Sequence, residues 1–309
     1  MCFRLLLGRE PNAEEWAGHS AQAGHELSGV VAGYVNSLEF ARRGLLRMDV
    51  DDRPQIATWP GFRIYASPSD LQVGRHVLGG AYEAEVAAVF QQLLLPAMTV
   101  VDIGANIGFF TMLSAALTGP DGAVLAVEPN PANGRLIEAS RRLNGFSQVT
   151  VAQVAAGRSV GVLALNTTHS NGTTSEPADD ADQLLQARTV PCMPVDVLVE
   201  ATWGRARRVD LIKVDVEGAE YNALLGAQGT LLRDRPVIIS EFSPTFMPGI
   251  SGIDGPGYLA WLFGLGYAVA VIEPAGSPVA MGQDGAAVMA AFEARQVDHI
   301  DIMATPISG

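Results

Sequence analysis

An α/β fold, with a mostly parallel sheet and helices on both faces, follows from three features of the sequence. Strand-like and helix-like stretches alternate along most of the chain, the order that lays successive strands parallel. Val100-Val101-Asp102 runs into a glycine-rich turn, Gly104-Ala105-Asn106-Ile107-Gly108, and then into an apolar helical pattern. That strand–turn–helix unit opens many nucleotide-binding domains. Val124-Leu125-Ala126-Val127 is a second buried strand, closed by the acidic residue Glu128.

Taken in order, residues 1–48 read as a helical segment separate from an α/β domain over 49–309. Asn12, with Pro11 before it and Glu15 at the capping-box position, starts one helix, and Ser37 caps another. Leu7-Gly8-Arg9 and the close Ser37-Leu38-Glu39-Phe40 resemble a short helical bacterial domain of unknown function. We expect a packing or oligomerisation appendage here, which leaves a homo-oligomer open. Asp49-Val50-Asp51-Asp52-Arg53-Pro54 is a charged linker, and Phe62-Arg63-Ile64-Tyr65 alternates like a strand. Gly79-Gly80-Ala81-Tyr82-Glu83 precedes a helix carrying Val86, Val89, Phe90 and Leu93, which Pro96 ends. After the glycine turn, Phe110, Leu113 and Leu117 recur at helical spacing until Gly119-Pro120.

Asn130-Pro131 is a cap and first-turn pair for a helix that Asn144-Gly145 stops. A third strand is expected from Val149 to Ala155. Residues 158–195 then break the alternation. Strand-like pieces at Val160–Leu165 and Thr189–Val195 flank the polar stretch from His169 to Ser175, which suggests an antiparallel excursion carrying a loop. Val209–Asp215 and Val237–Ser240 are the fourth and fifth strands of the sheet, with Glu241 following. A helix around Tyr258–Phe263 and strands at Tyr267–Ile272 and Ile300–Ala304 complete it.

Composition narrows the partners. With 20 Lys and Arg against 33 Asp and Glu, the net charge is −13, which argues against nucleic acid or an anionic membrane as the main partner. Apolar residues make up 48 %, ample for a core. Cys2 and Cys192 have no ligand-like spacing, so neither a disulfide framework nor a zinc site is expected. The apolar start, Met1 to Leu7, is too short for a signal peptide, and no stretch approaches the roughly 20 residues of a transmembrane helix. A cytoplasmic protein is the expectation.

The chemistry rests on the acids at the strand ends. A dinucleotide fingerprint needs glycine at the third and sixth positions of its turn. Counting from Gly104, this chain has Asn106 and Phe109 there. The pattern is instead Asp-x-Gly-x-Asn-x-Gly. Asp102 suits an ammonium group better than a pyrophosphate, and Glu128 can accept both ribose hydroxyls. Together they suggest S-adenosylmethionine. Asp215, Glu217 and Glu241 are placed to deprotonate an acceptor hydroxyl or to hold a divalent cation, and equally to cap the following helices. Lys213 is either a buried partner for one of them or a strand-end lysine reaching solvent. His169 is a weaker base candidate.

Asp102 to Phe109, Glu128-Pro129, Ile212 to Glu220, Glu241 and Gly80-Ala81-Tyr82-Glu83 together resemble the FkbM family of methyltransferases over roughly residues 60–245. The resemblance implies a class I methyltransferase (Rossmann-like) fold and S-adenosylmethionine as donor. It also implies an O-methylation in glycan, lipid or natural-product biosynthesis. By the same resemblance Asp102, Gly104, Asn106, Gly108 and Glu128 line the cofactor site, and Tyr82 and Glu83 border it. The excursion at 158–195 matches the family's pattern only loosely, so no acceptor carries over. The competing expectation is a binding or scaffolding module that keeps the fold without turnover.

Overall fold

The computed structural model describes residues 12, 15–16, 27–35, 53–166, 172–175 and 181–307. The chain divides into two compact units, Met1–Asp52 and Arg53–Gly309. In the first, the Asn12 side chain accepts the Glu15 N–H at 2.9 Å, and the Glu15 carboxylate accepts the Asn12 N–H at 2.8 Å. This is the reciprocal capping box that the spacing predicts. Helix α1 covers Leu27–Val35. Ser37 and the motif residues at either end of this segment lie outside the described residues.

The second unit begins with a hairpin, β1 (Gln55–Trp59) and β2 (Phe62–Ala66). Only β2 is evident from sequence, because Ala57 is the one residue of β1 that is buried. Then come α2 (Gly74–Leu78), α3 (Ala84–Leu93), β3 (Thr99–Ile103), α4 (Phe109–Thr118) and β4 (Ala123–Val127). Helix α5 (Pro131–Asn144) starts on Asn130, whose side chain accepts the Ala132 N–H, and ends on left-handed Gly145. Strand β5 (Val149–Ala152) follows.

The excursion holds β6 (Ala155–Ala156), β7 (Gly161–Asn166), β8 (Thr173–Ser175), α6 (Ala181–Gln186) and β9 (Thr189–Met193). The chain returns through α7 (Val195–Trp203), β10 (Leu211–Val214), α8 (Glu220–Leu225), α9 (Gln228–Asp234) and β11 (Val237–Phe242). It closes with α10 (Met247–Ile250), α11 (Gly255–Gly264), β12 (Tyr267–Ile272), β13 (Pro278–Gly282), α12 (Gly285–Arg295) and β14 (Ile300–Pro306).

The main sheet has the order β13-β12-β14-β11-β10-β3-β4-β5. Neighbours from β11 to β5 are parallel, whereas β14 runs antiparallel to β11 and β12, and β13 antiparallel to β12. The mostly parallel α/β expectation therefore holds. Strands β3 and β4 bury every residue, as parallel strands covered on both faces do. Val101 and Ile103 join the cluster containing Ile212, Leu224 and Tyr258, while Val100 joins the one containing Phe90, Ile107 and Phe110. From β3 the chain steps outward to β4 and β5, then returns to the other side of β3 as β10. Open α/β sheets bind ligands at such a reversal, outside the carboxyl ends of the strands.

Three expectations need correcting. The third strand breaks after Ala152, and its tail becomes β6, which pairs parallel with β9 in a four-stranded sheet that is otherwise antiparallel. The strand expected to reach Val195 stops at Met193, because Pro194 lies outside the ladder and Val195 opens α7. Beyond Tyr267 there are three strands and a helix rather than two strands. Strand β13 was hidden because no residue of it is fully buried.

Candidate functional site

The carboxyl ends of β3, β4, β10 and β11 frame a cavity of about 260 Å³. The turn after β3 forms one wall. Gly104 and Ala105 donate their N–H groups to the Val127 carbonyl at 2.9 and 3.2 Å. Glu128 then ties this turn to the start of α5: one carboxylate oxygen accepts the Asn106 N–H at 2.9 Å and the other the Asn130 N–H at 2.8 Å. A carboxylate offers about four acceptor positions, so capacity remains toward the cavity that Glu128 lines. Burial raises its carboxyl to about 7 although those N–H groups pull the other way.

Tyr82, Glu83, Gly104 and Asn106 also line the cavity; Asp102 and Gly108 do not. Asp102 is fully buried, accepts the Thr111 hydroxyl at 2.6 Å through Oδ2, and lies beside Lys213 in the β3–β10 register. Its Oδ1 has no hydrogen-bond partner. Asp102 thus supports the site from behind, where the sequence suggested direct contact with a ligand. The glycines also differ from expectation. A Cβ on Gly108 would press on Ile137 at 2.9 Å, so that glycine serves helix packing. A Cβ on Gly104 would sit 1.8 Å from the Asp215 carbonyl oxygen, so its bareness lets the β3 and β10 turns meet.

Lys213 is buried rather than solvent-reaching. Its ammonium donates to Asp215 Oδ2 at 2.7 Å and stands 4.7 Å from the Phe110 ring centroid. Burial pushes the Lys213 pKa down, but the carboxylates of Asp215, Glu83 and Asp102 outweigh it and hold the ammonium charged. Burial acts upward on Asp215, yet Lys213 keeps it below the usual carboxylate range. Glu241 goes the other way: burial and then the Asp215 charge push its carboxyl up. The Ser243 hydroxyl donates to Glu241 Oε1.

Asp215, Glu217 and Glu241 each bring a carboxylate oxygen within 4.8 Å of the others. These are hard oxygen donors of the type that Mg²⁺ and Ca²⁺ take. Asp215 already receives the Lys213 ammonium and Glu241 the Ser243 hydroxyl, so a cation there would share these oxygens with donors already in place.

Glu83, Asn106 and Glu217 all have positive φ (37°, 51° and 56°) and all line the cavity. Left-handed backbone costs a non-glycine residue about 1–3 kcal/mol and concentrates at functional sites. Glu220 fixes the third of these turns, accepting the Val216 and Gly218 N–H groups at 2.9 and 3.1 Å.

Several lining residues escaped the sequence reading: Gln72, Glu85, His299 and Asp301. Because β14 runs antiparallel, its first residues come to the carboxyl edge of the sheet, and Asp301 pairs with Glu241 in register. His299 Nδ1 lies 2.9 Å from an Asp298 carboxylate oxygen. The signal, His-x-Asp before an apolar strand, is readable only once the strand's direction is known. His169 lies outside the described residues.

The lining holds seven carboxyl residues against Lys213 and His299. Burial, joined in both cases by the charge of Asp215, raises Glu83 to about 7 and Asp301 to about 6. Crowded acids displaced upward mark a site that a cationic ligand would relieve.

Residues 102–269 match the family described as Methyltransferase FkbM domain. A curated relative, "Methyltransferase 1" of Beauveria bassiana (strain ARSEF 2860), is 31% identical over 144 residues, which is 41% of this chain and 57% of that protein. Among solved structures, methyltransferase FkbM from Methylobacillus flagellatus KT shares 15% identity at a TM-score of 0.43, covering 74% of this chain and 52% of its own. An O-methyltransferase from Bacillus cereus in complex with SAH shares 13% identity at a TM-score of 0.42, covering 73% and 82%. The chain thus spans little more than half of the curated relative and of the first of these structures.

Proposed function

Because the chain belongs to the FkbM methyltransferase family, we propose that it moves a methyl group from S-adenosylmethionine to a hydroxyl of a small-molecule, lipid or glycan acceptor. The observation that carries the donor is the acidic lining: carboxyl groups held near neutrality by burial, facing a cavity with one buried ammonium. That surroundings suits a ligand bearing both a sulfonium and an ammonium. When bound, S-adenosylmethionine supplies an electrophilic methyl group. Glu128 would accept the ribose hydroxyls, and Glu83, beside Tyr82 at the start of α3, would face the ammonium. Asn106 and the turn around it would set the nucleoside's position.

A hydroxyl acceptor has to lose a proton, and the strand-end acids are poorly suited to take it. Asp215 is a weakened base because Lys213 favours its ionised form, and burial beside Asp215 disfavours an ionised Glu241. His299 is the better candidate. Its Nδ1–H donating to Asp298 would leave the Nε2 lone pair available, the tautomer-fixing arrangement of many histidine bases. Lys213 and Asp215 then hold the floor of the cavity rigid, and the remaining work is alignment of the acceptor oxygen.

Incubating the full chain with methyl-labelled S-adenosylmethionine and fractionated cell extract tests this reading. A labelled product with a methyl ether supports it. Cofactor binding without any labelled product across all fractions favours the non-catalytic module instead.

A further inference from the structure

A second cavity of about 120 Å³ adjoins the first, and the two share Ala156 and Thr174 as lining. Its walls come from β6, β7, β8 and β9, the four-stranded sheet of the excursion, and from the start of α8. The two cavities differ sharply in charge. Among the described residues, the first is lined by seven carboxyl residues and the second by none. Arg158 is the one charged residue among the described residues that line the second, beside the hydroxyls of Ser159, Thr174 and Ser175. Arg158 is held at one corner, where its Nη2 donates to the Asn222 side-chain oxygen at 2.6 Å. A guanidinium has five N–H donors in a planar fork, so a single neutral partner fixes its direction and leaves most of its capacity open.

From this juxtaposition we propose that the second cavity is the acceptor's anchoring subsite, and that the acceptor carries an oxyanion, a phosphate or carboxylate, which Arg158 and the three hydroxyls bind. The acidic first cavity repels an anion and takes only the acceptor's neutral hydroxyl end. The neighbouring cavity offers the complementary charge. Segregation of this kind orients a two-ended molecule, because the reversed pose would set an anion among carboxylates and deny the guanidinium a counter-charge. The assignment of this cavity to the acceptor rests on the methyltransferase reading; oxyanion binding itself does not.

The test uses two probes on the full chain, inorganic phosphate and acetate, titrated calorimetrically into wild type, Arg158→Ala and Arg158→Lys. Phosphate or acetate should bind wild type, and the stronger of the two names the oxyanion. Arg158→Ala should weaken it by about tenfold or more, the scale of one charge-assisted hydrogen bond, and Arg158→Lys should recover part of the loss. S-adenosylmethionine affinity should be the same in all three proteins. In the labelled-methyl assay, product should appear in the fractions retained by anion exchange and fall in Arg158→Ala through KM rather than kcat. No binding of either anion to wild type, or equal binding to Arg158→Ala, overturns the subsite. A labelled product confined to neutral fractions overturns the acceptor class. Failure of S-adenosylmethionine to bind, with phosphate still bound through Arg158, sinks the functional reading alone.

Discussion

At the scale of single residues, the site is a charge problem whose solution fixes what each acid can do. Glu128 already accepts two backbone N–H groups, so Glu128→Gln sets an amide donor against one of them. Cofactor affinity should fall by about 1–3 kcal/mol, roughly ten- to a hundredfold, read as a calorimetric Kd. Glu83 and Glu128 both titrate at about 7 through burial, above the usual glutamate value. A raised carboxyl is neutral below that pH, so a cationic ligand must expel a proton to gain its partner. Binding S-adenosylmethionine should therefore release protons at pH 6.5 and scarcely any at pH 8.5. Titrations in buffers of different ionisation heat measure this, and equal proton counts at the two pH values would contradict it. His299→Gln should lower kcat by about 10²- to 10⁴-fold while leaving cofactor affinity intact. A loss of affinity instead would make His299 a binding residue.

Among the elements, the β3 and β10 turns decide whether the cavity exists. Gly104 has φ 78°, and a methyl there would strike the Asp215 backbone oxygen, which cannot yield without moving the turn that carries Asp215 and Glu217. Gly104→Ala should cost about 3 kcal/mol or more, seen as a lower urea midpoint at unchanged m-value. The strand-turn-helix unit around it was legible in the sequence because its signals are local: a continuous apolar run, glycines and a helical period. So were α5, through Asn130-Pro131 and Asn144-Gly145, and the acids at the ends of β4 and β10. Strand direction was not legible. It is a long-range property, and the antiparallel β14 brings His299 and Asp301 to an edge that a parallel strand would have kept them from. Side-chain depth was equally hidden. Asp102 and Glu128 lie on neighbouring strands, yet only Glu128 faces the cavity, because Asp102 lies two residues further down in register and is covered by Thr111.

For the molecule as a whole, every described residue lining the cavity belongs to the unit Arg53–Gly309. A chain beginning at Arg53 should accordingly bind S-adenosylmethionine with unchanged affinity; a large loss would assign the first unit a part in the site. The net charge of −13 fits a protein whose partners are small molecules rather than nucleic acid. Family membership rests on residues 102–269, and those residues supply most of the cavity wall while leaving Tyr82, Glu83 and His299 outside the matched stretch. The most direct test is calorimetric titration of S-adenosylmethionine into the full chain and into Glu128→Ala. The account predicts one saturable site in the wild type and at least tenfold weaker binding in the variant. An absence of binding to wild type, or the same Kd in both, would contradict it.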